Sequence, residues 1–236
     1  MRSSTSRPMR AARCCILLFA LCLILLAMPA AAGERDADCG AFWVRPAVDV
    51  EGIMAPPRID NSKSSDQIAI IARESGYSRS LRRASLLGLT YAFTGPSIAI
   101  ETRYRKESDG RLCVRLERVK FTFGARSTDV YVARKYRPGS CAYNVILEHE
   151  MEHVRINERL VRDYIPKIEK DLAERAAAIR PFYHTDIKRA GQSIGNRLRF
   201  ELEALLNEFN AVRLRENDII DTPQSYAEIH ARCRDW

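Results

Sequence analysis

A stripe of apolar and histidine side chains in the second half of the chain constrains the fold most strongly. Its spacings of three, four and seven residues are those of one face of an α-helix. The stripe comprises Ile146, His149, His153, Leu160, Tyr164 and Ile168. Ser140 stands where the N-cap of a helix beginning near Cys141 would lie. Pro166 falls inside the pattern, so we expect this helix to be kinked or divided there.

The chain after this helix predicts two further helices. A break near residues 180–181 leads through a segment with two glycines, at residues 191–195, into a second amphipathic helix. Its apolar side comprises Leu198, Leu202, Leu205, Leu206, Phe209 and Val212. A turn at residues 221–223 then precedes a short helix that Cys233 would tie down.

The first half of the chain contains the strand signals. Residues 98–105 and 112–116 alternate between apolar and polar side chains on either side of the turn former Asp109-Gly110, which predicts an antiparallel hairpin. The apolar phase slips by one residue between Leu116 and Val119, which favours a β-bulge, and a further strand is predicted through residues 130–132.

Two short helices and a loop complete the first half. Ser64 and Gln67 have capping-box spacing, so we predict a short helix at residues 68–75, closed by Gly76. A second short helix is expected at residues 78–87. Residues 33–63 are rich in turn formers and are predicted as loop. The expected fold is α+β, a small antiparallel β-sheet with a short helix followed by a long active-site helix and further helices.

The first 32 residues have the pattern of a secretory signal. Four arginines precede an apolar run at residues 14–28, and Pro29 and three alanines follow it. We expect a signal peptide at residues 1–32 and one domain at residues 33–236, the alternative being a segment retained as an anchor. Residues 1–32 hold four of the 38 basic residues and none of the 30 acidic ones, so the remainder carries a formal charge of +4. This small, dispersed excess does not indicate nucleic-acid binding.

Four cysteines remain beyond the predicted signal: Cys39, Cys113, Cys141 and Cys233. An even number in an exported chain predicts two disulfides, for which three pairings are possible. Their wide separation does not match the close spacing of zinc-binding cysteines. We therefore expect a periplasmic or secreted protein that is not stably inserted in a membrane after signal cleavage.

The segment His149–His153, which reads His-Glu-Met-Glu-His, carries the chemistry. Two histidines four residues apart on a helix project from one face, so both imidazoles can bind one zinc ion. Glu150 is rotated by about 100° from His149, which places its carboxylate beside the ion, where it can act as a catalytic base toward a water molecule. The alternative is that both histidines are ordinary core residues.

With this segment the chain resembles the zincin metallopeptidases, in particular small secreted bacterial proteins predicted to be zinc-dependent proteases. The resemblance covers residues 140–164, with strands before the helix, and implies a zincin-like domain with His149 and His153 as zinc ligands and Glu150 as base. Glu152 and Arg155 depart from the usual motif, which has an uncharged and an apolar residue at these positions.

A third zinc ligand is expected, because a catalytic zinc usually has three protein ligands and one water. The candidates are Glu208, His230 and Glu174, each of which could return to the histidines if the chain reverses at a suitable point, with Glu208 and His230 preferred. Asn157 lies on the metal side of the helix, where we expect a hydrogen bond from outside the ligand set.

Stabilisation of the oxyanion in the transition state also needs a nearby side chain. Four are available, and spacing does not select among them: Tyr143, Tyr164, Tyr226 and Arg213.

These features predict an exported zinc-dependent hydrolase, most simply a metallopeptidase that cleaves amide bonds in a peptide or protein substrate. A metal-dependent amidase acting on cell-wall peptides would share the mechanism. The alternative from a different class is a non-catalytic, disulfide-stabilised envelope protein with a structural or vestigial metal site.

Overall fold

The computed structural model describes residues 39–75 and 86–236. The predicted signal peptide, and most of the helix predicted over residues 78–87, lie outside these residues. The helices and strands are, in chain order, β1 (Ala47–Met54), β2 (Pro57–Asp60), α1 (Ser65–Glu74), β3 (Gly88–Thr94), β4 (Ser97–Lys106), β5 (Leu112–Val132), α2 (Cys141–Ala178), β6 (Phe182–His184), α3 (Ile187–Ile220) and α4 (Pro223–Ala231).

The long strand β5 forms the centre of one six-stranded sheet in the described chain. β1 and β2 pair in parallel with successive parts of one edge of β5. Met54 at the end of β1 lies opposite Ala125, and Pro57 at the start of β2 lies opposite Thr128, so both strands have the same register. β6 pairs antiparallel with the start of β5. β4 and β3 pair antiparallel along the other edge. The described part of the protein is therefore a mixed α/β structure with four helices and a mixed sheet.

The predicted hairpin is confirmed in β4 and β5. The pairing shifts between Glu101, opposite Arg118, and Thr102, opposite Leu116, so Glu117 is the extra residue of a β-bulge. This explains the slip in apolar phase, because Leu116 and Val119 both face the core. The strand predicted through residues 130–132 is the far end of β5 and not a separate strand.

Two expectations for the first half are corrected. Residues 47–60 were predicted as loop but form β1 and β2, because they hydrogen-bond to β5 about seventy residues away. The sheet is consequently mixed and not purely antiparallel. Val48 and Val50 of β1 pack against the core, while Asp49 and Glu51 on the opposite face form ion pairs with residues of β5. The alternation of apolar and charged side chains that is typical of a half-buried strand is therefore present in β1.

The helix predicted from the stripe is α2. It begins at Cys141, and the side chain of Ser140 accepts a hydrogen bond from the backbone N–H of Tyr143. Pro166 lies inside the helix, which continues to Ala178 and is not divided. The stripe contributes Leu160, Tyr164 and Ile168 to the main core, where they pack with residues of the sheet.

Helix α3 returns along α2 in the opposite direction. Contacts join Arg175 to Glu201, Tyr164 to Glu208 and Arg159 to Glu216, so later residues of α3 meet earlier residues of α2. α3 begins at Ile187, before residues 191–195, where the side chain of Asp186 caps it by accepting from the backbone N–H of Arg189. Gly195 lies inside the helix and faces β4, where a Cβ would lie 3.2 Å from Cγ1 of Ile100.

The disulfides join Cys39 to Cys113 and Cys141 to Cys233. This is one of the three pairings that the sequence allows, and two disulfides fit an exported protein. None of the helices in the described residues combines the length and hydropathy needed to cross a membrane.

Candidate metal centre

The third and fourth turns of α2 bring two imidazoles to one point. The ring centroids of His149 and His153 are 5.0 Å apart, with the ring planes nearly perpendicular. His153 is buried and His149 is half-buried. The Nε2 atoms of both rings lie close to the same carboxylate oxygen, which belongs to Asp221. The predicted pairing of the histidines on one helix face is therefore present.

Asp221 completes a group of three possible metal ligands. Its Oδ1 lies 3.1 Å from Nε2 of His149 and 3.2 Å from Nε2 of His153. The ligand atoms of the three residues lie within 4.8 Å of one another. Two donor atoms of a tetrahedral zinc site, each about 2.05 Å from the ion, are separated by roughly 3.3 Å. The three side chains are thus arranged as a group that could hold a metal ion.

A chain of hydrogen bonds orients His153 for this role. Nδ1 of His153 lies 2.7 Å from Oδ1 of the buried Asn217, so the imidazole N–H donates to the amide oxygen and leaves Nε2 for a metal. The amide nitrogen of Asn217 donates to Oδ1 of Asn157 and to the backbone carbonyl of Arg213. Asn157 therefore supports the site through Asn217, in agreement with the expected indirect role.

The three residues proposed from sequence as the third ligand lie elsewhere. Glu208 accepts a hydrogen bond of 2.7 Å from the hydroxyl of Tyr164, which is eleven residues, about 16 Å along the helix axis, beyond His153. His230 packs against Trp236, and its carbonyl accepts from the indole N–H. Glu174 lies exposed on α2, still farther along that helix.

Asp221 was missed because its role depends on how α3 aligns with α2. It is the C-cap residue of α3, immediately before α4, which Thr222 caps. In the sequence this aspartate is recognisable only as part of the turn at residues 221–223. The antiparallel alignment of the two helices, which the sequence does not reveal, sets the end of α3 opposite the third and fourth turns of α2.

Glu150 lies on the side of α2 that faces β3. Its Oε2 accepts a hydrogen bond of 2.9 Å from the hydroxyl of Thr90, which also lies 2.8 Å from the backbone oxygen of Glu150. The side chain is buried, and burial raises the pKa of Glu150 despite the opposing effect of the two neighbouring histidines. A carboxylate with a raised pKa beside a metal-binding group is suited to accept and return a proton.

The first turns of α4 add a phenol to the site. The hydroxyl of Tyr226 lies 3.1 Å from Oδ1 of Asp221, and its ring centroid is 5.5 Å from that of His149. Burial, followed by the charge of Asp221, raises the pKa of Tyr226, so the phenol stays protonated at neutral pH. Among the four side chains considered from sequence for oxyanion stabilisation, Tyr226 contacts a member of the metal-binding group.

The other three side chains considered from sequence for oxyanion stabilisation have different surroundings. Tyr143 packs against the cluster around α1, Tyr164 donates to Glu208, and the backbone of Arg213 supports Asn217.

Without a metal, the group is an ion pair. Burial alone would lower the pKa of His153, but its hydrogen bond to Asp221 and the charges of Glu150 and Asp221 outweigh this and raise the pKa to about 9. Burial alone would raise the pKa of Asp221, but hydrogen bonds and charge from both histidines hold it well below its usual value. A metal ion would therefore have to displace a proton from His153.

Comparison of the chain with protein-family models, with curated proteins and with solved structures finds no match. Its function has to be inferred from the chemistry of the site itself.

Proposed function

We propose that the protein is an exported zinc-dependent hydrolase, and specifically a metallopeptidase that cleaves amide bonds. The observation that carries the proposal is the convergence of two imidazole nitrogens and one carboxylate oxygen beside the buried carboxylate of Glu150. The His-Glu-Met-Glu-His segment gives the resemblance to zincin metallopeptidases on which the choice of an amide substrate depends.

The donor set fits zinc. Two histidine nitrogens and one carboxylate oxygen are typical ligands of catalytic zinc, and three protein ligands leave a fourth position for water or substrate. His149, His153 and Asp221 would hold the ion through Nε2, Nε2 and a carboxylate oxygen. Asn217 fixes the orientation of His153, as the outer hydrogen-bond partners of metal-bound histidines commonly do.

A bound zinc ion would supply Lewis-acid chemistry, polarising the scissile carbonyl and lowering the pKa of a water molecule. Glu150 takes the proton from the attacking water and then delivers it to the amine that leaves. Thr90 holds the carboxylate of Glu150 on the β3 side of α2, so the base has a fixed position relative to the two histidines.

Tyr226 is the residue of this chain that stabilises the oxyanion. Its protonated hydroxyl already lies within the group, and it can turn from Asp221 toward the developing negative charge on the carbonyl oxygen. A single preorganised donor of this kind typically contributes about 10²- to 10³-fold to kcat.

The experiment combines metal analysis with a peptidase assay. The purified protein with both disulfides formed should contain one zinc per chain and should cleave an unstructured protein such as casein. Glu150→Gln should retain the zinc and lose the cleavage, because the amide cannot accept the proton. Glu152→Gln is the matched control and should retain both, because Glu152 lies on the same turn of the helix, is half-exposed and pairs with Arg155.

Two outcomes would overturn the proposal. Full activity of Glu150→Gln would remove the assigned base. Bound metal that survives His149→Ala, together with no cleavage by the wild-type protein, would instead favour the non-catalytic envelope protein with a structural metal.

A further inference from the structure

The connection between α3 and α4 supplies two members of the site, so its position decides whether the site is complete. Asp221 ends α3, and Tyr226 lies in the first turns of α4. The connection is ordered by its own hydrogen bonds: the hydroxyl of Thr222 accepts from the backbone N–H of Ser225, and the hydroxyl of Ser225 donates to the carbonyl of Ile220. These bonds shape the turn but do not attach it to α2.

The noncovalent contacts described between α4 and α2 are few. Val145, Ile229 and Cys233 form a small buried cluster, with Tyr226 packed against it. This cluster is separate from the main core that holds α2, α3 and the sheet together. Outside it, Arg232 pairs with Glu148 at 2.6 Å, but both side chains are more than half exposed, so the pair contributes little.

The disulfide between Cys141 and Cys233 is the strongest restraint on this contact. Cys141 is the first residue of α2, eight residues and about 12 Å along the axis before His149. Cys233 lies two residues after the end of α4. The bond thus joins the helix that carries both histidines to the segment that carries Tyr226 and follows Asp221.

The two disulfides differ in exposure. Cys141 is exposed and its partner Cys233 is buried, with 8% of its surface accessible, whereas Cys39 and Cys113 are both buried, with 5% and 0% accessible. A thiol reductant must reach a sulfur atom to attack it, so it should reduce the Cys141–Cys233 bond first.

We propose that the Cys141–Cys233 disulfide positions Asp221 and Tyr226 for metal binding, so that a dithiol reductant lowers the metal affinity of the site. In this step a dithiol attacks the disulfide from its exposed end at Cys141, Cys141 and Cys233 become free thiols, and the reductant is oxidised to its own disulfide. Once released, α4 moves away from α2 more often, and Asp221 spends less time beside the histidines. The inference rests on the proposed metal site.

The second disulfide provides a matched test. Zinc affinity, measured by competition with a fluorescent chelator, should fall about 10- to 100-fold in the double variant Cys141→Ser/Cys233→Ser, which is the range for loss of outer support in metal sites. The double variant Cys39→Ser/Cys113→Ser also loses one disulfide but should bind zinc as the wild type does. An equal loss in both variants, or no loss in the first, would overturn the proposal.

If the Cys141→Ser/Cys233→Ser variant does not fold, titration of the wild-type protein with dithiothreitol tests the same proposal. Alkylation and mass spectrometry identify which cysteines have become free, and the same samples are assayed for zinc affinity and thermal unfolding. We expect affinity to fall with release of Cys141 and Cys233 while the cooperative unfolding transition persists. Affinity that falls only after Cys39 and Cys113 are released would contradict the proposal. A fully oxidised protein that binds no zinc would instead refute the metal site itself.

Discussion

Gly88 leaves open the space that the carboxylate of Glu150 occupies. A Cβ at residue 88 would lie 2.6 Å from Oε1 of Glu150 and 2.9 Å from Cγ2 of Ile146. We therefore expect Gly88→Ala to displace the base while leaving the histidines in position. The rate of peptide cleavage should fall about tenfold or more, since small misplacements of a catalytic group are costly, and zinc content should be unchanged.

Gly95 provides the control for this substitution. It lies in the connection between β3 and β4, and a Cβ there would have no neighbour within 4 Å. Gly95→Ala should leave cleavage and zinc content unaltered. A Gly88→Ala protein as active as Gly95→Ala would show that Glu150 does not need its present position.

The hydrogen bond between His153 and Asn217 predicts a selective effect on metal affinity. Asn217→Ala removes the acceptor for Nδ1, so the ring is no longer held with Nε2 toward Asp221. Zinc affinity measured by chelator competition should weaken about 10- to 100-fold. Asn217→Asp keeps an acceptor for Nδ1 but, like Asn217→Ala, loses the donations to Asn157 and Arg213. Its zinc affinity should therefore lie between those of the wild type and Asn217→Ala, and equal affinities of the two variants would contradict the role of the acceptor.

Substitutions at Asp221 and Glu208 compare the third ligand proposed from the structure with the one preferred from sequence. Asp221→Asn keeps the size of the side chain but removes the carboxylate, so we expect zinc content at micromolar metal to fall to a small fraction of the wild-type value. Glu208→Gln should leave zinc content unchanged, because Glu208 lies beside Tyr164 and away from the histidines. Elemental analysis of the two variants gives the result, and the reverse ranking would exclude Asp221.

The ion pair between His153 and Asp221 predicts the pH dependence of the metal-free protein. Because the pKa of His153 is raised in the folded protein, its protonation stabilises the fold, and this contribution is complete at a pH below the pKa of histidine in the unfolded chain, about 6.5. That contribution is lost as the pH rises through about 9. The pKa of Asp221 is lowered in the folded protein, so its ionised form also stabilises the fold. This contribution is complete at a pH above the pKa of aspartate in the unfolded chain, about 3.9, and it is lost in acid.

The melting temperature of the metal-free protein should therefore decline between pH 6.5 and 9.5. Because zinc replaces the proton, the zinc-bound protein should decline less, and zinc affinity should increase over the same range. Metal-free Asp221→Asn, in which this pair is absent, is the reference. A wild-type protein with the same pH profile as this variant would contradict the assigned charges.

Local pattern in the sequence was sufficient for much of α2. Helical spacing aligned His149 with His153 and turned Glu150 aside, and Ser140 fixed the start of the helix. The β-bulge at Glu117 was also visible as a change in alternation. These features depend on neighbours a few residues apart, for which backbone geometry alone is decisive.

Features that depend on distant alignment were not predictable from sequence in the same way. β1 is a strand because it pairs with residues about seventy positions later, and Asp221 meets His149 across 72 positions. Glu208 was preferred from sequence as the third ligand, but the side-by-side position of α2 and α3 places it beside Tyr164. No local periodicity encodes the register of two helices or of two parallel strands.

The position of β5 also has a consequence for how the protein folds. Within the described residues, the five other strands pair with β5 and not with one another. β1, β2, β3 and β4 all precede it in the chain, so none of them gains its sheet hydrogen bonds until β5 has been made. We expect the chain to stay open during synthesis up to that point and then to form the sheet in one cooperative and comparatively slow step, as contacts far apart in sequence require.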